Sequence, residues 1–184
     1  MRIPNEYYLI VDLEATCSDN GVVPRQEMEI IEIGALMQSS RTFEIESEFQ
    51  TFVCPVRHSE LTEFCKALTG INQHEVTIAP SFPEALQGLK LWMSPFPDSL
   101  FCSWGDYDRN QFLQDCEYHR IAYPFPAGHL NLKAEFSLAS GGGKKVGIGQ
   151  ALRQLGMDFE GSHHRGLDDA RNIARIVRRV CLGA

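Results

Sequence analysis

The chain has 184 residues, 43% of them hydrophobic and 22% charged, a balance that suits a globular protein whose core needs no disulfide support. Its formal net charge of -7 argues against a protein that coats duplex nucleic acid by phosphate neutralisation alone, although clustered acids that hold cations make that figure misleading. No apolar run approaches the ~20 residues that span a bilayer, and the opening MRIPNEYYLIVD lacks a signal peptide's layout, so the sequence reads as one cytoplasmic domain over residues 1–184.

The first element is the apolar run Tyr7 to Val11 in YYLIVDLEAT, strand-like and abruptly acidic at its end. A polar turn, CSDNGVVPRQ, leads to EIIEIGALM, a second strand, and residues 42–54 alternate as a third, with Phe43, Ile45, Phe49 and Phe52 as its apolar positions. Short connections make these three an antiparallel meander. Helical signals follow: SELTEFCKALTG, ending at Gly70, and SFPEALQGLKLWM, with Pro83 near its start and Leu86, Leu89 and Met93 on one stripe. Then DSLFCSWGDYD reads as a strand ending in acids, RNQFLQDCEYHR as a helix, GHLNL as a short strand, and GIGQALRQLG and LDDARNIARIVRRVC as closing helices. This order predicts an α/β fold with a mixed sheet packed between helices.

SGGGKK at 140–145 reads as a solvated loop, with a phosphate contact as the alternative. The six cysteines, at 17, 54, 65, 102, 116 and 181, show neither C-x-x-C nor histidine at zinc spacing, and read as reduced, mostly buried thiols.

Chemistry concentrates in three acidic segments. Asp12 and Glu14 stand at i and i+2 of a strand and so share a face; two close carboxylates repel unless a cation lies between them, and hard oxygen ligands suggest magnesium or manganese. Asp106 and Asp108 repeat the spacing, and one of them suits the N-cap of the following helix; spacing does not choose between them. In HHRGLDDARNIARI, Asp169 falls on the stripe of Ile173, Ile176 and Val180, whereas Asp168 aligns with Asn172, Arg175 and Arg179. Asp169 is therefore expected to point inward, and Asp168 to face water near the positive end of the helix dipole.

DLEAT, WGDYDRNQF and HRGLDDARNIA resemble the three motifs of the DEDDh 3'-to-5' exonucleases of the ribonuclease H-like superfamily. LTGI at 68–71, SWGDYD and the LGMDFEG segment leading into HRGLDDARNIARI are similar in particular to the Eri-type exonucleases and their KapD-like bacterial relatives. The resemblance implies a ribonuclease H-like exonuclease fold in which Asp12, Glu14, Asp108 and Asp169 hold two divalent ions, Mg2+ or Mn2+. It selects Asp108 over Asp106. Its H-x4-D spacing selects His164 over His163 as general base and Asp169 over Asp168, leaving His163 and Asp168 as solvated neighbours. Glu14 shares the catalytic role. Ala15, Thr16, Leu68 and Thr69 match positions that cradle the terminal nucleotide. The implied reaction is hydrolysis of the 3'-terminal phosphodiester of single-stranded RNA or DNA to nucleoside 5'-monophosphates. A regulatory protein-interaction module that keeps the fold is the alternative.

Overall fold

The apolar run that opens the sequence forms the central strand of a five-stranded sheet. In the computed structural model, which describes residues 1–183, β1 (Tyr7–Ala15) pairs antiparallel with β2 (Ile30–Ser39), and β2 antiparallel with β3 (Ile45–Phe52). Ala184, the last residue of the expected domain, lies outside the described residues. On its other side β1 pairs parallel with β4 (Ser99–Ser103), which pairs parallel with β5 (His129–Asn131), giving the order β3-β2-β1-β4-β5. The expected meander with added parallel strands is present.

Among the described residues seven α-helices accompany the sheet: α1 (Glu63–Thr69), α2 (Gln73–Thr77), α3 (Phe82–Met93), α4 (Tyr107–His119), α5 (Leu132–Ala139), α6 (Ile148–Gln154) and α7 (Gly166–Leu182). Their ends follow from local chemistry. Thr62 caps α1, and Gly70 stops it at a φ of 69°, which a glycine adopts at no steric cost. Capping boxes at Asn72 and Ser81 start α2 and α3. Neither α2 nor α5 was expected; α2 depends on its capping box and α5 on the Asn131 cap. The strand expected through DSLFCSWGDYD stops at Ser103, and its acids belong to a turn and to α4.

Alternation along β1 divides the core. Tyr8 and Ile10 pack with Leu36, Ile173, Ile176 and Val177 beneath α7, while Leu9, Val11 and Leu13 pack with Ile33, Met37, Phe82, Leu86 and Phe112 beneath α3 and α4. Burying each such aliphatic side chain contributes roughly 1.5–3 kcal/mol. Because both faces are covered, all ten residues of β2 are buried, and the strand is mostly apolar, with Glu32, Gln38 and Ser39 as its polar residues, rather than cleanly alternating. No helix among the described residues is long and apolar enough to cross a membrane.

One contact sets where α7 begins. A Cβ added to Gly34, which pairs with Asp12 across β1–β2, would lie 2.0 Å from the Gly166 carbonyl carbon and 2.1 Å from the Leu167 nitrogen. A Cβ on Gly166 would in turn stand 2.8 Å from the Asp12 carbonyl oxygen. Backbone meets backbone here, so nothing can give way without moving the helix. Gly34→Ala is expected to cost about 3 kcal/mol, read as a lower urea midpoint at unchanged m-value; a midpoint equal to that of the parent would show that the approach is not tight.

Candidate active site

Asp12 and Glu14 follow Ile10 on the α7 side of β1, as the two-residue period requires. Asp169, in the first turn of α7, comes down over them; ligand oxygens of Asp12, Glu14 and Asp169 lie within 4.8 Å of one another. Asp108, buried in the first turn of α4, completes the wall, its Oδ1 accepting the Leu13 N–H at 3.1 Å. The choice that spacing left open is resolved: Asp106 takes the N-cap position and turns outward, accepting from Asn131 Nδ2 at 2.9 Å, while Asp108 turns in.

These acids have no lysine or arginine among them, and the consequence is electrostatic. Burial, reinforced by Asp108, Asp169 and Glu14, pushes the Asp12 carboxyl well above the usual carboxylate range. Burial and Asp169 push Glu14 up to about 9. Burial raises Asp108 and Asp169 to about 6, opposed at Asp108 by the Leu13 N–H and at Asp169 by His163 and the His164 N–H. The Oδ1 of Asp169 is buried with no hydrogen-bond partner. A converging set of hard oxygens, one of them orphaned, fits a divalent cation. Among the described residues this is the one group of three or more His, Cys, Asp or Glu so placed.

His164 holds a left-handed backbone, φ 63°, unusual for a residue with a side chain. Its N–H donates to Asp169 Oδ2 at 2.7 Å, and its Nδ1 lies 4.0 Å from Glu14 Oε1. The ring is 44% exposed to the cleft, and burial together with His163 holds it below the usual histidine range. The expectation for the neighbouring pair holds in part. His163 is half exposed, yet its ring is stacked between Phe159 and His164, and its Nδ1 lies 3.4 Å from Asp169 Oδ1. Asp168 does not face water freely; it accepts the Ser162 N–H at 2.9 Å and pairs with Arg171 at 3.0 Å. Asn172, expected on the same polar face, is fully buried, its amide bonded to both backbone groups of Glu160. The segment before α7 folds back over that face, a tertiary contact that helix periodicity does not contain.

The acids line a cleft of about 630 Å³, with Ala15, Cys17, Met28, Leu68, Trp104, Tyr107, Ile148, Arg153, His163 and His164 around it. Ala15 and Leu68 thus reach the cleft, whereas Thr16 and Thr69 do not line it. The Thr16 hydroxyl accepts the Glu29 N–H, and the Thr69 hydroxyl spans Cys65 O and Ile71 N at the end of α1. Arg153 is the sole lysine or arginine among the lining residues. The loop at 140–145 is exposed, does not line the cleft, and folds over the end of α5 through the Gly142 N–H and the Ser137 hydroxyl. All six cysteines are free, three of them buried. Glu32 escaped the sequence reading: fully buried opposite Glu14, it accepts from Gln50, from Arg165 Nε at 3.2 Å and from the Gly166 N–H at 3.2 Å. An acid inside the apolar run of EIIEIGALM was the available signal.

A mixed sheet flanked by helices with four acids converging in one cleft is the architecture of the site, and a sequence family described as Exonuclease matches residues 9–177. The chain belongs to that exonuclease family. Among solved structures, the nuclease domain of 3'hExo, described as a DEDDh family member bound to rAMP, superposes with a TM-score of 0.90 at 32% identity, covering 100% of this chain and 96% of that one. The 3'-5' exoribonuclease 1 of Homo sapiens is 37% identical over 188 residues, 95% of this chain and 52% of the relative. ERI1 exoribonuclease 3 of Homo sapiens is 37% identical over 182 residues, 95% of this chain and 53% of the relative. The chain spans about half the length of these curated relatives. The resemblance read from the motifs holds.

The raised carboxyls make a linkage prediction. An acid whose folded pKa exceeds its unfolded value keeps its proton in the native state, so stability falls as pH climbs between the two. For Glu14 that window runs from about 4.5 to about 9. The metal-free protein is therefore expected to melt at progressively lower temperature from pH 5 to pH 9. Mn2+ should raise the melting temperature far more at pH 8 than at pH 5, with proton release on binding and reversal by EDTA. Equal melting with and without Mn2+ at pH 8 would remove the cation from the site.

Proposed function

We propose that the protein is a 3'-to-5' exonuclease that shortens single-stranded RNA, and DNA with the same machinery, to nucleoside 5'-monophosphates. The observation that carries this reading is the convergence of Asp12, Glu14 and Asp169 within 4.8 Å, with the Asp169 Oδ1 orphaned, in a cleft that also holds Asp108 and His164. The names of the relatives, both exoribonucleases, favour RNA as the natural substrate.

In this reading Asp12, Glu14, Asp108 and Asp169 hold two divalent ions, magnesium or manganese. When bound, these supply charge neutralisation at the scissile phosphate and acidify water. The chain's own part is to place and deprotonate. His164, kept neutral by its surroundings, takes a proton from the attacking water on the cleft side. The water oxygen bonds to phosphorus as the bond to the 3' oxygen of the penultimate nucleotide breaks, and that oxygen leaves as an alkoxide that takes a proton from solvent. Glu14, 4.0 Å from the His164 ring, orients the imidazole and stabilises its charged form. Ala15 and Leu68 offer apolar walls to the terminal nucleotide, and Arg153 offers a cation to a backbone phosphate. A module used only for protein binding gains nothing from four converging acids with no lysine or arginine among them.

The test is release of 5'-monophosphates from a 3'-labelled single strand with Mn2+ or Mg2+. Release is expected from RNA, to be abolished by EDTA, by Asp12→Asn and by a 3'-phosphate block. His164→Ala should lower kcat by a factor of 10²–10⁴ while Mn2+ still raises the melting temperature. No monophosphate from either RNA or DNA would refute the activity, and an unchanged rate in His164→Ala would remove that residue from the mechanism.

A further inference from the structure

The imidazole assigned as the base has little of its own to hold it in place. Among the described residues the His164 ring makes no hydrogen bond, Glu14 Oε1 stands 4.0 Å from its Nδ1, and 44% of the side chain is open. A base that takes a proton from one water needs a ring held in one direction. What the ring does touch is another ring: His163, with centroids 4.2 Å apart and planes inclined by 23°. His163 in turn stacks on Phe159, at 5.0 Å and 10°.

This stack has a foundation. Phe159 packs, partly buried, against the core beneath α7. Asn172, fully buried on α7, donates to the Glu160 carbonyl at 2.8 Å and accepts the Glu160 N–H at 3.1 Å. Asp168 accepts the Ser162 N–H at 2.9 Å. Gly161, between them at a φ of 83°, has no room for a side chain, since a Cβ there would lie 2.5 Å from the Asp168 carboxylate carbon. Residues 160–162 are thus strapped to α7 by three successive contacts, with Phe159 at one end of the strap and His163 at the other. The hydrolytic reading assigns this strap nothing.

His163 offers the site either a nitrogen or a ring face. Its Nδ1 lies 3.4 Å from Asp169 Oδ1, beyond a good hydrogen bond, and accepts the His164 N–H at 2.9 Å. That N–H already reaches Asp169 Oδ2 at 2.7 Å, a charged and stronger acceptor. The nitrogen therefore duplicates a contact, whereas the face supplies one that the His164 ring otherwise lacks. We infer that His163 is a positioning residue: backed by Phe159 and the strap, its ring is the wall on which the His164 imidazole rests, confining the base to the orientation that faces Glu14. A stacked aromatic pair favours such an orientation roughly threefold to tenfold, enough to decide where a half-exposed ring spends its time.

This inference rests on the assignment of His164 as the base, so its test reads the ring directly as well as turnover. On the full chain, kcat and KM are measured with Mn2+ and a 3'-labelled RNA, and the His164 ring signals are followed by aromatic NMR for the ring-current displacement that a stacked neighbour causes. His163→Ala is expected to lower kcat roughly threefold to tenfold at nearly unchanged KM, and to abolish the displacement. His163→Phe, which keeps the flat ring and loses Nδ1, should stay within about twofold of the parent and retain the displacement. Phe159→Leu, which removes the backing ring, should fall between the two. Placed in a His164→Ala background, His163→Ala should lower kcat no further, because it acts through the ring already removed. An equal loss in His163→Phe and His163→Ala would overturn the inference by assigning the effect to the nitrogen beside Asp169, and so would a further loss in the His164→Ala background or a parent-like kcat in His163→Ala. A parent that releases no nucleotide refutes the exonuclease reading, and the ring signals then decide the stack: displacement unchanged in His163→Ala overturns it, whereas displacement lost there and kept in His163→Phe upholds it.

Discussion

The backbone contact between Gly34 and Gly166 governs the site. It fixes the first residue of α7 against the β1–β2 ladder at the level of Asp12, and everything the helix carries is then placed by its own geometry. One turn of helix from Gly166 reaches Asp169, which arrives over Asp12 and Glu14 because those two share its side of β1. The packing energy for this comes from elsewhere on the same helix, where Ile173, Ile176 and Val177 are buried against the sheet. The apolar stripe supplies the attraction, and the two glycines set the distance. The acids, which oppose assembly when no cation is present, are held together by residues that take no part in their chemistry.

A second constraint ties the candidate base to a candidate ligand. The left-handed backbone at His164 aims its N–H at Asp169 Oδ2 while its ring extends toward Glu14. Strain of this kind, of order 1–3 kcal/mol, persists only where surrounding contacts over-determine the conformation. Here they include the Asp169 bond, the stack on His163 and Phe159, and the Arg165–Glu32 pair that anchors the next residue. A shift of Asp169 therefore carries His164 with it, so proton acceptor and ligand cage keep their spacing as one unit.

Much of this was legible in the sequence where a single element's period sufficed. The two-residue period put Asp12 and Glu14 on one face, and the helical period aimed Asp169 inward before any family was considered. What escaped depended on partners distant in the chain. Asp168 and Asn172 were read as a solvated face because helix geometry has no knowledge of residues 160–162 folding back onto it. Glu32 was passed over because Arg165 and Gly166, its partners, lie more than a hundred residues away. Asp108 could not be separated from Asp106 by spacing, since the deciding fact is that β4 ends at Ser103 and a turn intervenes. For His164 only the family spacing distinguished it from His163, and both rings stand at the site, one over Asp169 and the other toward Glu14.

Buried acids in this protein fall into two kinds, and their partners tell them apart. Glu29 accepts three backbone N–H groups and pairs with Arg57 at 3.7 Å; Asp115 accepts from Gln111 and the Ile30 N–H; Glu32 meets Gln50, Arg165 and the Gly166 N–H. Each has hydrogen-bond partners on other elements and fastens one segment to another. Asp12, half-buried, makes no side-chain hydrogen bond or ion pair among the described residues, buried Glu14 has only His164 at 4.0 Å, and buried Asp169 keeps one oxygen without any hydrogen bond. The fold gives these three acids partners from distant segments and leaves the others open. Unsaturated carboxylates cost stability wherever they are buried, so their persistence in one cleft marks the place where the protein's missing positive charge belongs.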